Sequence, residues 1–130
     1  MNATLPLTMQ TLSGIPDGED RLVIVETPDV FVGVKLFQPG EVFPNHFHNG
    51  YDEIFMGLEG VITIWQGRNL RVEVGPGSSV TCQRGSHHYL ANETSRPVKV
   101  LFAKVPLIAD DTHWVPWAPV IGPNDGAGIE

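Results

Sequence analysis

Short runs rich in Val, Ile, Phe and Thr recur along this chain, and turn-forming residues separate them. No segment holds its apolar residues at the spacing of a helix face. The runs cover residues 21–26, 30–37, 53–56, 61–65, 70–74, 79–82, 87–90 and 98–105. Between them stand Thr27-Pro28-Asp29, Pro39-Gly40, Asn49-Gly50, residues 57–60, residues 66–69 and Gly75-Pro76-Gly77. Evenly spaced short strands with this punctuation predict an all-β sandwich or closed barrel. The first 20 residues read as an edge strand or an arm, and residues 122–130, small, polar and Gly-rich, are expected to fray.

At 130 residues the chain is sized for one domain spanning 1–130, with a core over 20–105, an N-terminal arm over 1–20 and a tail over 106–130. Its composition, 42% hydrophobic, supports a core without disulfide staples. Cys82 is the only cysteine and has no internal partner, which fits a reducing compartment. The N-terminus lacks the basic start and apolar run of a secretion signal, and no apolar stretch is long enough to cross a bilayer. A cytoplasmic protein is the expectation. With 15 acidic residues against 8 basic ones and no basic cluster, binding to nucleic acid is excluded as an expectation.

The chemistry concentrates in Pro44-Asn45-His46-Phe47-His48. Side chains alternate along a strand, so His46 and His48 share a face and Phe47 takes the other. Asn49-Gly50 is a strong hairpin signal, since both central positions of such a turn take positive φ. A turn there would bring Glu53 back beside the two imidazoles. Imidazole and carboxylate together suit a divalent Fe, Mn, Ni, Cu, Zn or Co ion without choosing among them.

With these residues in view, the sequence resembles the cupin superfamily. The first cupin motif, G-x5-H-x-H-x4-E-x6-G, is matched at Gly40, His46, His48, Glu53 and Gly60 with every spacing kept. The second, G-x5-P-x-G-x2-H-x3-N, is matched at Gly77, Gly85, His88 and Asn92, with Gln83 where the motif has proline. The resemblance implies a double-stranded β-helix, or jelly roll. It also implies a metal site formed by His46, His48, Glu53 and His88. Motif spacing selects His88 over His87, and alternation sends the neighbouring His87 to the opposite face. His113 lies outside both motifs and reads as an exposed or packing residue, or as a proton carrier at the rim.

Parity places Phe55 and Leu90 inward, with Ser86 and Cys82 as further candidates. Phe31, Phe37, Trp65, Tyr89 and Phe102 could line the cavity, and Arg68, Arg84 and Lys104 could hold a substrate carboxylate. A largely apolar cavity would suit a small neutral or aromatic-like substrate. Trp114-Val115-Pro116-Trp117-Ala118-Pro119 cannot form a regular helix and is expected to cover the barrel mouth or a partner subunit. The resemblance implies homodimers formed through sheet faces or exchanged N-terminal strands. It further implies a metal-dependent enzyme acting on a small molecule, with dioxygenase chemistry first and isomerase or lyase chemistry second. In such enzymes Glu53 can leave the metal and act as a general base, whereas isomerase or lyase chemistry needs a base beyond the ligands, such as His87, Tyr89 or His113. A non-enzymatic module binding a small molecule or the metal itself is the third reading.

Overall fold

A computed structural model describes residues 7–12, 15 and 18–120. Among these it contains strands and no helix. The strands are β1 (Arg21–Thr27), β2 (Val30–Phe37), β3 (Val42–Phe47), β4 (Asp52–Glu59) and β5 (Ile62–Gln66). They continue with β6 (Leu70–Val74), β7 (Ser79–Cys82), β8 (His88–Ala91), β9 (Val98–Val105) and β10 (His113–Trp114). The expected frayed end, residues 122–130, lies outside the described residues.

Two five-stranded antiparallel sheets form, in the orders β1-β2-β9-β4-β7 and β10-β3-β8-β5-β6. Nearly every expected run became a strand, because alternation of apolar and polar residues suits a sheet with one buried face. Phe37, Phe55, Ile62, Ile64, Val74, Cys82, Leu90, Val98, Val100 and Phe102 make the core between the sheets. In the first sheet, register lines up Cys82, Glu53, Lys104 and Phe31 across β7, β4, β9 and β2. The next row inward along the strands is Val80, Phe55, Phe102 and Gly33.

Two details decide what reaches the interior. Residues 57–60 do not all form a turn, since Gly57 lies within β4. A Cβ there would stand 2.1 Å from the Gly75 carbonyl oxygen, so only glycine lets the β6–β7 connection pass this close. In β3, register shifts between Phe43 and His46 against β8, so two residues, Pro44 and Asn45, oppose one. Proline has no N–H for the ladder and is at home in such a bulge. The extra residue brings Phe43 and His46, three apart, to the same face.

Asn49-Gly50 does not form the expected hairpin. Neither residue is among those with positive φ. β3 and β4 belong to different sheets, so residues 48–51 cross between layers instead of reversing within one. The Asp111 carboxylate accepts hydrogen bonds from the Asn49 and Gly50 N–H groups at 3.1 and 2.7 Å, the stabilisation a tight turn would otherwise supply.

Candidate metal centre

β3 carries His46, the residue after its end is His48, β4 carries Glu53 in its second position, and β8 opens with His88. All four are buried, and one nitrogen or oxygen from each lies within 4.8 Å of the others. The structure thus brings together the four residues the motifs single out.

Each imidazole is held by its other nitrogen. His46 Nδ1 lies 2.7 Å from the Pro44 carbonyl oxygen, His48 Nδ1 2.9 Å from that of Asp111, and His88 Nδ1 3.2 Å from that of Ser86. A carbonyl oxygen only accepts, so each Nδ1 carries the proton and donates it. In the neutral ring, Nε2 is then a lone-pair donor to a metal. His48 Nε2 and His88 Nε2 stand 2.9 and 3.3 Å from Glu53 Oε1. Three atoms whose lone pairs converge in this way need a shared cation, either a proton or a metal ion. The donor set therefore fits a divalent transition metal and leaves positions open for a further ligand.

The electrostatics agree. Burial, with the neighbouring His88, lowers the His46 pKa to about 4, against the opposing hydrogen bond to Pro44. Its ring is therefore neutral and able to ligate. Burial alone would raise Glu53, but the two imidazoles beside it outweigh burial and hold the carboxyl at about 2, so it is ionised and able to ligate.

Several supporting residues are not signalled by either motif. Tyr51 is 1% exposed, its ring stacks on His48 at 4.2 Å, and its hydroxyl lies 3.3 Å from His48 Nε2. Parity could have found it, since residues 51, 53 and 55 share a face. Asp111 could not have been found that way, because it lies some sixty residues downstream of the turn it secures. Its segment continues into β10, which pairs with β3. The Val115 N–H donates to the Asn45 carbonyl oxygen at 3.0 Å. Trp114 stacks on Phe43 and lies 5.3 Å from the His46 ring, so the Trp/Pro-rich tail straps across this end of the second sheet.

A cavity of about 90 Å³ opens beside the cluster, with His46, His48 and Glu53 in its wall. Phe37, Phe55, Leu90 and Phe102 line it as expected, and so does Phe43. Trp65 and Tyr89 do not line it; they pack against Trp117, at 5.8 and 6.0 Å between rings. Ser86 is not in the lining either, and its hydroxyl donates to the Gln83 carbonyl oxygen. His87 and His113 stack on the two sides of Phe47, away from the cluster. Cys82 is a core residue whose thiol burial pushes up to about 12, which leaves it inert. Of the three cations expected to reach a substrate, Lys104 lines the cavity, Arg84 is paired with Asp52 at 3.1 Å, and Arg68 is exposed on the β5–β6 turn. The cavity is not neutral, as the apolar count suggested, because Arg21 and Lys35 also reach it. β1 and β2 pair Arg21 with Lys35 directly, a juxtaposition that residues fourteen apart do not advertise.

Comparison with solved structures gives the same fold. The TT1209 protein from Thermus thermophilus superposes with TM-score 0.68 at 21% identity, over 77% of this chain and 98% of that one. BH2720 from Bacillus halodurans gives TM-score 0.70 at 18% identity, over 86% and 91%. KdgF from a Halomonas species gives 0.64 at 20% identity, over 69% and 80%. No curated protein matches the sequence. The family model for the cupin domain, Cupin_2, matches residues 33–104, more than half of the chain and the span that holds all four clustered residues. A barrel of this topology, with both motifs in place and that match across its core, belongs to the cupin family.

Proposed function

We propose that this cupin is a metal-dependent enzyme acting on a small organic molecule, with His46, His48, Glu53 and His88 as the metal ligands. The observation that carries the reading is the set of converging lone pairs in the wall of a cavity. When bound, the ion would supply Lewis-acid or redox chemistry at the positions these residues leave open. Phe43, Phe55, Leu90 and Phe102 keep water from the reacting groups, and the three backbone carbonyls hold the imidazoles in the ligating tautomer.

Oxygenase-type chemistry is the version we favour. Among the described residues, the cavity wall offers no carboxylate or imidazole beyond those of the cluster, so a dedicated proton-transfer base is missing. His87, Tyr89 and His113 all face elsewhere. Lyase or isomerase chemistry, with Glu53 leaving the metal to act as general base, is the second reading. A structure of DMSP lyases also superposes, at TM-score 0.58 and 17% identity, over 66% of this chain and 44% of that one.

Metal analysis of the native protein, paired with oxygen uptake on a panel of small organic acids, tests the reading. His48→Ala and Glu53→Ala should each lower metal content sharply; full occupancy in both overturns the site. Substrate-dependent oxygen uptake supports the oxygenase, and turnover unaffected by removing oxygen transfers the assignment to the lyase or isomerase.

A cytoplasmic homodimer completes the proposal. No helix among the described residues is long and apolar enough to cross a membrane. β1 ends its sheet and exposes Val23 and Val25, a surface that a second copy would cover. Light scattering should give twice the mass of one chain, 14.2 kDa.

A further inference from the structure

We propose that the cavity takes a small organic anion: the Lys104 ammonium holds its carboxylate while a second oxygen of the same molecule faces His46, His48, Glu53 and His88. This rests on reading those four residues as a metal centre, and it adds the substrate class.

Charge carries the argument. Three cations, Arg21, Lys35 and Lys104, line the cavity. Lys35 is buried and ion-paired to Asp20 and to Glu41, the latter at 2.8 Å. Arg21 adds its field to Asp20, so these four groups balance one another. Lys104 is different. No carboxylate of the described residues lies within 4.0 Å of its Nζ. It rests over the rings of Phe31 and Tyr51, at 5.7 and 5.6 Å from their centroids.

Glu53 is the only acid in the cavity wall among the described residues, and its Oε1 is committed to His48 and His88. A divalent metal, the Glu53 carboxylate and Lys104 together leave two positive charges at a half-enclosed site. A neutral ligand leaves them uncompensated, whereas an anion compensates them where water is scarce.

Placement brings the ammonium and the metal centre to the same ligand. Lys104 is the register partner of Glu53 on the inner face of the first sheet, and such pairs have Cβ atoms about 5 Å apart. Tyr51 bridges them, with Lys104 over its ring and His48 stacked on it. The cavity of about 90 Å³ corresponds to roughly three water molecules at about 30 Å³ each. That fits a short oxo- or hydroxy-carboxylate with its carbon chain against Phe37, Phe55 and Phe102, and it excludes nucleotides and peptides.

The test is calorimetric titration of the Mn²⁺-loaded protein with pyruvate and 2-oxobutyrate, with methyl pyruvate as the uncharged control and inorganic phosphate as the competing anion. The carboxylates should bind about ten-fold or more tightly than the ester. Lys104→Gln should remove that difference while Mn²⁺ affinity stays within about two-fold, and Lys104→Arg should keep most of it. Equal binding of acid and ester, an unchanged Lys104→Gln variant, or no binding of either acid up to about 10 mM overturns the proposal. Phosphate binding more tightly than both acids overturns the carboxylate assignment. The metal reading fails separately, by absence of Mn²⁺ binding in the parent. Repeating the pyruvate titration in EDTA then shows whether the Lys104 subsite stands alone.

Discussion

Replacing Glu53 by Gln separates two consequences of burying a carboxylate among imidazoles. Glu53 is 6% exposed, with its Oε1 2.9 and 3.3 Å from two Nε2 atoms. With both imidazoles neutral, the metal-free site faces lone pairs with lone pairs around a charge. A buried acceptor without a donor costs about 1–3 kcal/mol, and the charge adds to that cost. Glutamine keeps the shape, removes the charge and supplies an NH₂ that donates to His48 Nε2. Metal-free Glu53→Gln should therefore be more stable than the metal-free parent by about 1–3 kcal/mol, or about 3–10 °C in midpoint for a chain of this size. With metal most or all of that advantage is lost. The parent gains about 2.7 kcal/mol at a hundred-fold excess of metal over its dissociation constant. The variant, short of its one anionic ligand, binds Zn²⁺ more than about 100-fold less tightly and gains little. Urea denaturation in EDTA and with Zn²⁺, alongside calorimetric titration, reads both effects. A metal-free variant less stable than the parent, or one with unchanged Zn²⁺ affinity, refutes the reasoning.

Acid should act through His46. Its folded pKa of about 4 lies below the value of 6.5 expected unfolded, so between those limits the unfolded chain holds a proton the folded one refuses. Metal-free stability then falls as pH drops through this window, by about 3 kcal/mol in all, and denaturation midpoints that stay level from pH 6.5 to 4 would contradict this. Asp111→Ala removes the acceptor of the Asn49 and Gly50 N–H groups and loosens the segment whose carbonyl holds His48 Nδ1. It should cost about 2 kcal/mol in urea denaturation and weaken Zn²⁺ binding about ten-fold, whereas a change in stability alone would show that the segment does not position His48. Gly57→Ala forces a methyl into the Gly75 carbonyl, 2.1 Å from its oxygen, and should lower stability by about 3 kcal/mol or more; a thermal midpoint within a degree or two of the parent would show that the β6–β7 connection yields freely.

Much of this was legible because strand alternation and motif spacing are both local. Residues 70–74 and 79–82 became β6 and β7 with the bounds their apolar runs suggested, and parity separated His88 from His87. What escaped depended on contacts between distant segments. Asn49-Gly50 carries a hairpin signal, but a local signal cannot report that its flanking strands join different sheets. Trp65 and Tyr89 have the composition of cavity residues, yet only the path of the tail shows that Trp117 covers them. The bulge at Pro44-Asn45 inverts the parity of Phe43 relative to His46, which a strict period of two misplaces. Lys104 stands beside Arg68 and Arg84 as a candidate on sequence alone, and only its register with Glu53 and its place in the cavity wall set it apart from them.

β9 lies between β2 and β4 in the first sheet, although almost all of the other strands precede it in the chain. As the polypeptide leaves the ribosome, β2 and β4 have no shared neighbour until residues 98–105 emerge, and the clasp from Asp111 to the β3–β4 crossing comes later still. The barrel therefore cannot close strand by strand during synthesis. Closure waits for residues 98–105, so a nascent or prematurely terminated product presents unpaired β2 and β4 edges to chaperones and proteases.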